Sequence, residues 1–203
     1  GGSAMLQGDT RCDVLVVGGG ITGVTLALLL AEQGRSVVLL EADEIGSGTT
    51  GHSTGNLYVT LSHGLSEVAS KWGADIAREV VAERKAAIDF IEVQSRQAPQ
   101  VRFTRCPLVE WARFSTDQPR IDKELVALRR AGALTHAVDH VPTGLAPPTG
   151  PVLVLEDQAQ FQPQAYVAAL ARLPAQKGAK LHEHSRVLEL DTKARTAVTA
   201  SGS

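Results

Sequence analysis

The sequence is poor in cysteine, in net charge and in long apolar runs, and each shortage removes a class of protein. Cys12 and Cys106 are the two cysteines of a 203-residue chain. They have no spacing that suits a disulfide framework or a metal site, so a reducing, cytoplasmic compartment is expected. Lys and Arg number 20 against 22 Asp and Glu, a formal charge of -2. That leaves no broad basic field for nucleic acid or an anionic membrane, and a small molecule becomes the default partner. The longest apolar run, residues 24–31, is far short of the about 20 residues of a membrane helix, and no transmembrane segment is expected. It ends in Glu-Gln-Gly rather than a small-residue cleavage site, so no signal peptide is expected either. The opening Gly-Gly-Ser-Ala reads as a cloning remnant, and residues 1–10 are set aside as a leader. There is no internal repeat.

What is present alternates in the manner of an α/β chain. "CDVLVV" at 12–17 is a β-branched run bounded by glycines, which predicts a buried parallel strand. "ITGVTLALLLAEQG" has helical length and formers, with Gly34 as its stop, and "SVVLLE" at 36–41 is a second buried strand. Together they predict a right-handed βαβ unit. From 63 to 96 the periodicity turns helical, with a stripe through Ile76, Val80, Ala87, Ile88 and Ile91 and a division at Gly73. Residues 101–114 are strand-like but interrupted by Pro107, and a helix follows that ends near Gly132. "VPTGLAPPTGPVLVLED" holds four of the nine prolines and suits a crossing between domains. Helix and then strand return from 161, with a possible break at Pro174.

Gly18, Gly20 and Gly23 form a G-x-G-x-x-G pattern between the first strand and the first helix. The three serve a tight turn, close approach of a pyrophosphate, and close packing of helix on strand. The N–H groups of Ile21 and Thr22 and the helix dipole then face phosphate. Glu41, followed by Ala42, ends the next strand, where a carboxylate can accept hydrogen bonds from ribose hydroxyls. A turn whose glycines serve packing alone is the competing reading. The pattern does not separate NAD from FAD.

"DVLVVGGGITGVTLALLLAEQGRSVVLLEADEIGSGTTGHSTGN", with "DQAQFQPQAYVAALARLPAQKGAKLHEHSRVLEL" further on, resembles the D-amino-acid oxidase-like FAD-dependent oxidoreductases. That group includes glycine oxidase, sarcosine oxidase and dimethylglycine dehydrogenase, and "GTTGHST" sits nearest the branch that often carries a C-terminal Rieske domain. The resemblance implies a Rossmann-like FAD-binding domain of the glutathione-reductase type with an inserted α+β substrate domain, both incomplete here. It assigns 11–63 and 161–203 to the FAD-binding domain and 64–160 to the substrate domain. It also implies that Gly48, Thr49, Thr50, Ser53, Gly55 and Leu57 strap the cofactor from pyrophosphate to ring, and that Val187 lies on the adenine, a position an ordinary core valine also fits. His52 matches the histidine that carries flavin covalently in some members. A neutral imidazole hydrogen-bonding nearby is the alternative, and Gly51 stands where those members have an aromatic residue. His63 suits a helix start or the surface.

The implied chemistry is hydride transfer from the carbon beside an amine nitrogen to flavin N5, giving an imine that water hydrolyses. The substrate is an amine or amino acid, and no residue here is assigned as catalytic base. Arg102, Arg105 and Arg113 are candidates for a substrate carboxylate, or else ordinary exposed strand arginines. Because family members continue past this point, the chain is expected to be an N-terminal piece that needs further polypeptide or a second chain. A non-catalytic assembly module and an NAD-dependent dehydrogenase are the rival functions.

Overall fold

The β-branched run after Cys12 becomes strand β1, Val14–Val17, in a computed structural model that describes residues 3–141 and 147–202. Helix α1, Ile21–Glu32, follows directly. Its buried residues Val24, Ala27, Leu28 and Ala31 recur at helical spacing, and α1 packs by this face on strand β2, Val37–Leu40. β2 is buried along its whole length and pairs in parallel with β1, Val14 opposite Val37. After β2 the chain makes no second amphipathic helix but a short 3-10 turn, Thr49–His52.

The chain divides into two compact units. The first comprises the chain through Gly55, Ala98–Val101 and the chain from Gln162, and the second comprises Asn56–Gln97 and Arg102–Phe161.

The second unit begins with the short strand β3, Asn56–Leu57, and the helices α2, Leu65–Trp72, and α3, Ala74–Ser95, divided by Gly73 as its sequence predicts. The buried stripe of α3 is shifted from the expected one. Ala77, Val81, Ile88 and Ile91 face inward, whereas Ile76 and Ala87 are exposed. The spacing fits either register, and packing against α2 and helix α4, Gln118–Arg130, selects one. Strands β4, Thr104–Glu110, β5, Thr135–Val138, and β6, Val152–Gln160, complete an antiparallel sheet in which β4 lies along one edge of β6 and β5 and β3 along the other. The register of β4 slips between Cys106 and Leu108, where Pro107 has no N–H for the ladder. The proline-rich stretch, of which residues 142–146 lie outside the described residues, joins β5 to β6 within this unit and is not a crossing between units.

The chain returns to the first unit through α5, Pro163–Leu170, and α6, Arg172–Gln176, which pack on α1. β7, Lys180–His182, adds a third parallel strand beside β2. A hairpin of β8, Val187–Asp191, and β9, Thr196–Thr199, follows. Residues 3–8, set aside above as leader, belong to this unit. Leu6 is buried with Val38 and Leu40, its N–H donates to Ser185 Oγ at 2.9 Å, and its carbonyl accepts from Ser201 Oγ at 2.6 Å. Ser3 N, the Ala4 carbonyl and Gly8 N are bonded as well, to Glu183, His182 and the Ser201 carbonyl, so the segment is held along its length.

Candidate functional site

The glycine turn between β1 and α1 is built to carry no side chains. Gly18 has φ +104°, a left-handed conformation that a Cβ would strain, and its N–H donates to the Leu40 carbonyl at 2.8 Å. A Cβ on Gly23 would be driven into the Gly18 carbonyl oxygen, with Val16 Cγ1 at 3.4 Å behind it. The third glycine therefore sets the distance of helix from strand. At Gly20, the residue that caps α1, a Cβ would meet Thr50 Oγ1 at 3.3 Å. Thr22 is exposed on the first turn of α1.

Glu41 closes the turn from the end of β2. Its Oε2 accepts from Gly19 N at 2.6 Å and its Oε1 from Asp43 N at 2.9 Å. Each carboxylate oxygen can accept more than one hydrogen bond, so acceptor capacity remains for hydroxyl donors. Gly19, the middle glycine of "GGG", is a site residue that the spacing rule passes over. It is buried, and a Cβ on it would lie 2.9 Å from Ile45 Cγ1.

The segment after Glu41 and Ala42 lies down on this turn. Gly46 N donates to the Gly19 carbonyl at 3.0 Å, and Ile21 N, the first helical N–H, donates to Thr50 Oγ1 at 3.2 Å. Val167 of α5 supports it from beneath, 3.5 Å from where a Gly46 Cβ would be. Gly48 precedes the 3-10 turn and Thr49 opens it; Ser53 follows, its N–H on the Thr50 carbonyl at 3.3 Å and its Oγ accepting from Gly55 N at 3.3 Å. A Cβ on Gly51 would lie 2.8 Å from the Gly46 carbonyl oxygen, which explains why this position carries no aromatic residue.

His52 is exposed, with Nδ1 3.0 Å from the Gly48 carbonyl oxygen. A carbonyl only accepts, so that bond requires the proton on Nδ1 and leaves Nε2 as the lone-pair nitrogen.

Two expected contact residues stand outside the turn. Leu57 belongs to β3 of the second unit, paired with Ala159. Val187 opens β8 and packs against the cluster of Leu6, Val38 and Leu40. Of the three arginines, only Arg105 stands in β4; Arg102 precedes the strand and Arg113 follows it. Arg105 is engaged by Glu92 Oε2 at 2.5 Å and Asp89 Oδ1 at 2.6 Å, with Asp157 Oδ1 at 3.4 Å. A guanidinium spread over three carboxylates is a structural tie, not a reader of substrate carboxylate. In the same cluster the hydrogen bond from Lys85, and then that from Arg105, holds the Asp89 carboxyl below its ordinary value. Among the described residues no group of three or more His, Cys, Asp or Glu could hold a metal ion, and no helix is long and apolar enough to cross a membrane.

The turn thus has the parts that the adenosine diphosphate half of a dinucleotide uses: a helix N-terminus opened by glycines, its first N–H held by Thr50 Oγ1, and a carboxylate at the second strand's end that is anchored on Gly19 N. Comparison with known proteins agrees and decides between the two dinucleotides. The pattern of the DAO family, FAD dependent oxidoreductase, matches residues 13–203. A Bacillus subtilis protein named for a Rieske 2Fe-2S iron-sulfur centre, YhfW, is 33% identical over 95% of this chain and 38% of its own length. Gamma-glutamylputrescine oxidoreductase of Escherichia coli is 32% identical over 70% of this chain and 39% of its own. The solved L-amino acid deaminase from Proteus myxofaciens, 19% identical, superposes with a TM-score of 0.77 over 98% of this chain and 45% of that one, and so shares the fold. The chain spans about two fifths of the length of the two relatives that it matches in sequence. With the family matched over nearly all of its residues, this chain belongs to the FAD-dependent oxidoreductases of the DAO family.

Proposed function

We propose that the chain is the cofactor-holding portion, with part of the substrate unit, of an enzyme that oxidises an amine or an amino acid. The observation that carries this is the glycine turn, where Gly23 is packed against the Gly18 carbonyl and Glu41 is anchored on Gly19 N at 2.6 Å. Gly18, Gly20, Ile21, Thr22 and Gly23 would hold the pyrophosphate, Glu41 and Ala42 the adenosine ribose, and residues 48–55 the path to the flavin ring. Bound FAD would supply the hydride acceptor. The protein's own part is to bind and orient the two molecules.

Segments 11–63 and 161–203 would serve as the cofactor domain and 64–160 as the substrate domain. The names of the relatives, one for gamma-glutamylputrescine and one for L-amino acids, support an amine or amino-acid substrate. The relative named for a Rieske centre supports an iron-sulfur domain, on the same polypeptide or a second chain, as electron acceptor. Two free, half-buried cysteines suit a cytoplasmic location. The purified 203-residue chain is expected to take up FAD and show the visible bands of a bound flavin. A folded chain that stays colourless at saturating FAD would overturn the reading.

We further infer that His52 is the point of covalent attachment. The proton held on Nδ1 by the Gly48 carbonyl leaves Nε2 nucleophilic and exposed, which supports this. After acid precipitation flavin is expected to stay with the protein and to be released wholly from His52→Ala. Complete release from the unaltered chain would exclude the bond.

A further inference from the structure

Glu183 is a buried carboxylate that none of the assignments above uses. It is 8% exposed, and both its oxygens are committed to backbone. Oε1 accepts from Ile45 N at 2.8 Å and Oε2 from Ser3 N at 2.6 Å. It sits just past β7, and its neighbours bind the same stretch of chain. Glu41 N donates to the His182 carbonyl at 2.8 Å, Ser185 N to the Glu41 carbonyl at 2.7 Å, and His184 N to the Asp43 carbonyl at 2.9 Å. Residues 182–185 therefore back residues 41–45 along their length. Glu183 is the one member of that backing that reaches with a side chain.

The next link runs from Ile45 to the glycine turn. Ile45 Cγ1 stands where it would touch a Gly19 Cβ at 2.9 Å, and the following residue donates to the Gly19 carbonyl at 3.0 Å. Fixing the Ile45 backbone thus fixes the point at which the strap sits on the turn. A carboxylate suits the task because it accepts on both oxygens, whereas an amide would turn its own N–H groups toward one of the two donors.

We propose that Glu183 is a positioning residue for the cofactor strap, acting through Ile45 on the glycine turn. The proposal rests on the FAD-binding reading. Its consequence is that Glu183 controls how tightly FAD is held without touching it, since a strap that is already in place loses less freedom on binding.

The test is a double-mutant cycle on the 203-residue chain, with FAD affinity and release followed by flavin fluorescence and unfolding followed without FAD. Glu183→Gln is expected to raise Kd by at least about tenfold, mostly through faster release, and half-buried Ile45→Ala to raise it several-fold. The double variant is expected to be little worse than Glu183→Gln, because both changes cut one link. Removal of residues 1–4, which deletes the Ser3 donor to Glu183 and the Ala4 carbonyl bonded to His182 but leaves the bond to Ile45 N, is expected to leave Kd within about twofold. If Glu183→Gln keeps the unaltered Kd, or if the two changes add in full, the proposal fails while the FAD reading stands. If Glu183→Gln does not fold, Ile45→Ala decides alone, and an unchanged Kd there breaks the chain of contacts. An unaltered chain that takes up no FAD overturns the FAD reading and this proposal with it.

Discussion

Gly23→Ala is expected to cost most of the affinity for FAD and to loosen the first unit. The added methyl group would meet the Gly18 carbonyl oxygen, a backbone atom that cannot swing aside as a side-chain end can, and Val16 Cγ1 stands 3.4 Å behind it. Either α1 moves off β1 or the turn at Gly18 changes shape, and both displace the N–H groups proposed to hold phosphate. Overpacking of this kind costs about 1–3 kcal/mol, and a backbone obstruction belongs at the upper end. The loss of FAD affinity is expected to be larger still, about 100-fold or more in Kd, the equivalent of about 2.7 kcal/mol. Gly34→Ala is the control. There φ is +78° with open space around the Cβ, so the left-handed backbone costs about 1–2 kcal/mol of stability, with FAD affinity unchanged. Thermal unfolding and flavin titration of both variants check the pair. Equal flavin affinity in Gly23→Ala and the unaltered chain would show that the turn does not hold the cofactor.

The second large effect lies in the other unit. Glu124, on α4, is 2% exposed, and its Oε1 accepts from Thr60 Oγ1 at 2.6 Å and Leu65 N at 2.7 Å while Oε2 accepts from Ser66 N at 2.9 Å. Leu65 and Ser66 are the first two residues of α2, whose own N-cap, Gly64, supplies no side chain. A carboxylate from another helix therefore does the work of a local cap, and its charge lies at the positive end of the α2 dipole. Glu124→Ala leaves three donors without their acceptor, each worth about 1–3 kcal/mol when stranded. A loss of about 3–5 kcal/mol is expected, or roughly 10 °C in Tm for a chain of this length. Glu124→Gln retains one acceptor oxygen and is expected to lose less. A change in Tm of under about 2 °C in Glu124→Ala would mean that α2 finds other acceptors.

The parts read correctly from sequence are those governed by local rules. The spacing of Gly18, Gly20 and Gly23 after a β-branched run predicted strand, turn and helix, and those residues form them. Gly73 divides α2 from α3 and Gly132 follows α4. The parts read wrongly depend on partners far along the chain. Leu6 falls in the stretch set aside as leader after the Gly-Gly-Ser-Ala opening, yet its cluster partners lie more than thirty residues away in β2. Arg105, a candidate for a substrate carboxylate or else an ordinary strand arginine, has its charge met by Asp89, Glu92 and Asp157, drawn from α3 and from within β6. Glu183 and Glu124 carry no sequence signal at all, since a glutamate in a polar stretch looks the same whether solvated or buried.

By itself, then, the sequence determined the βαβ unit, the glycine turn and Glu41, because backbone sterics and the requirements of a dinucleotide act over about thirty neighbouring residues. Only the tertiary structure decided which carboxylates are buried, which helix face points inward, and how residues 41–55 lie on the turn. The helix face rests on packing against α2 and α4, and the other two outcomes on hydrogen bonds between segments far apart in sequence, Ser3 and Glu183 being separated by 180 residues. A buried carboxylate is tolerated only where folding brings N–H donors to both its oxygens.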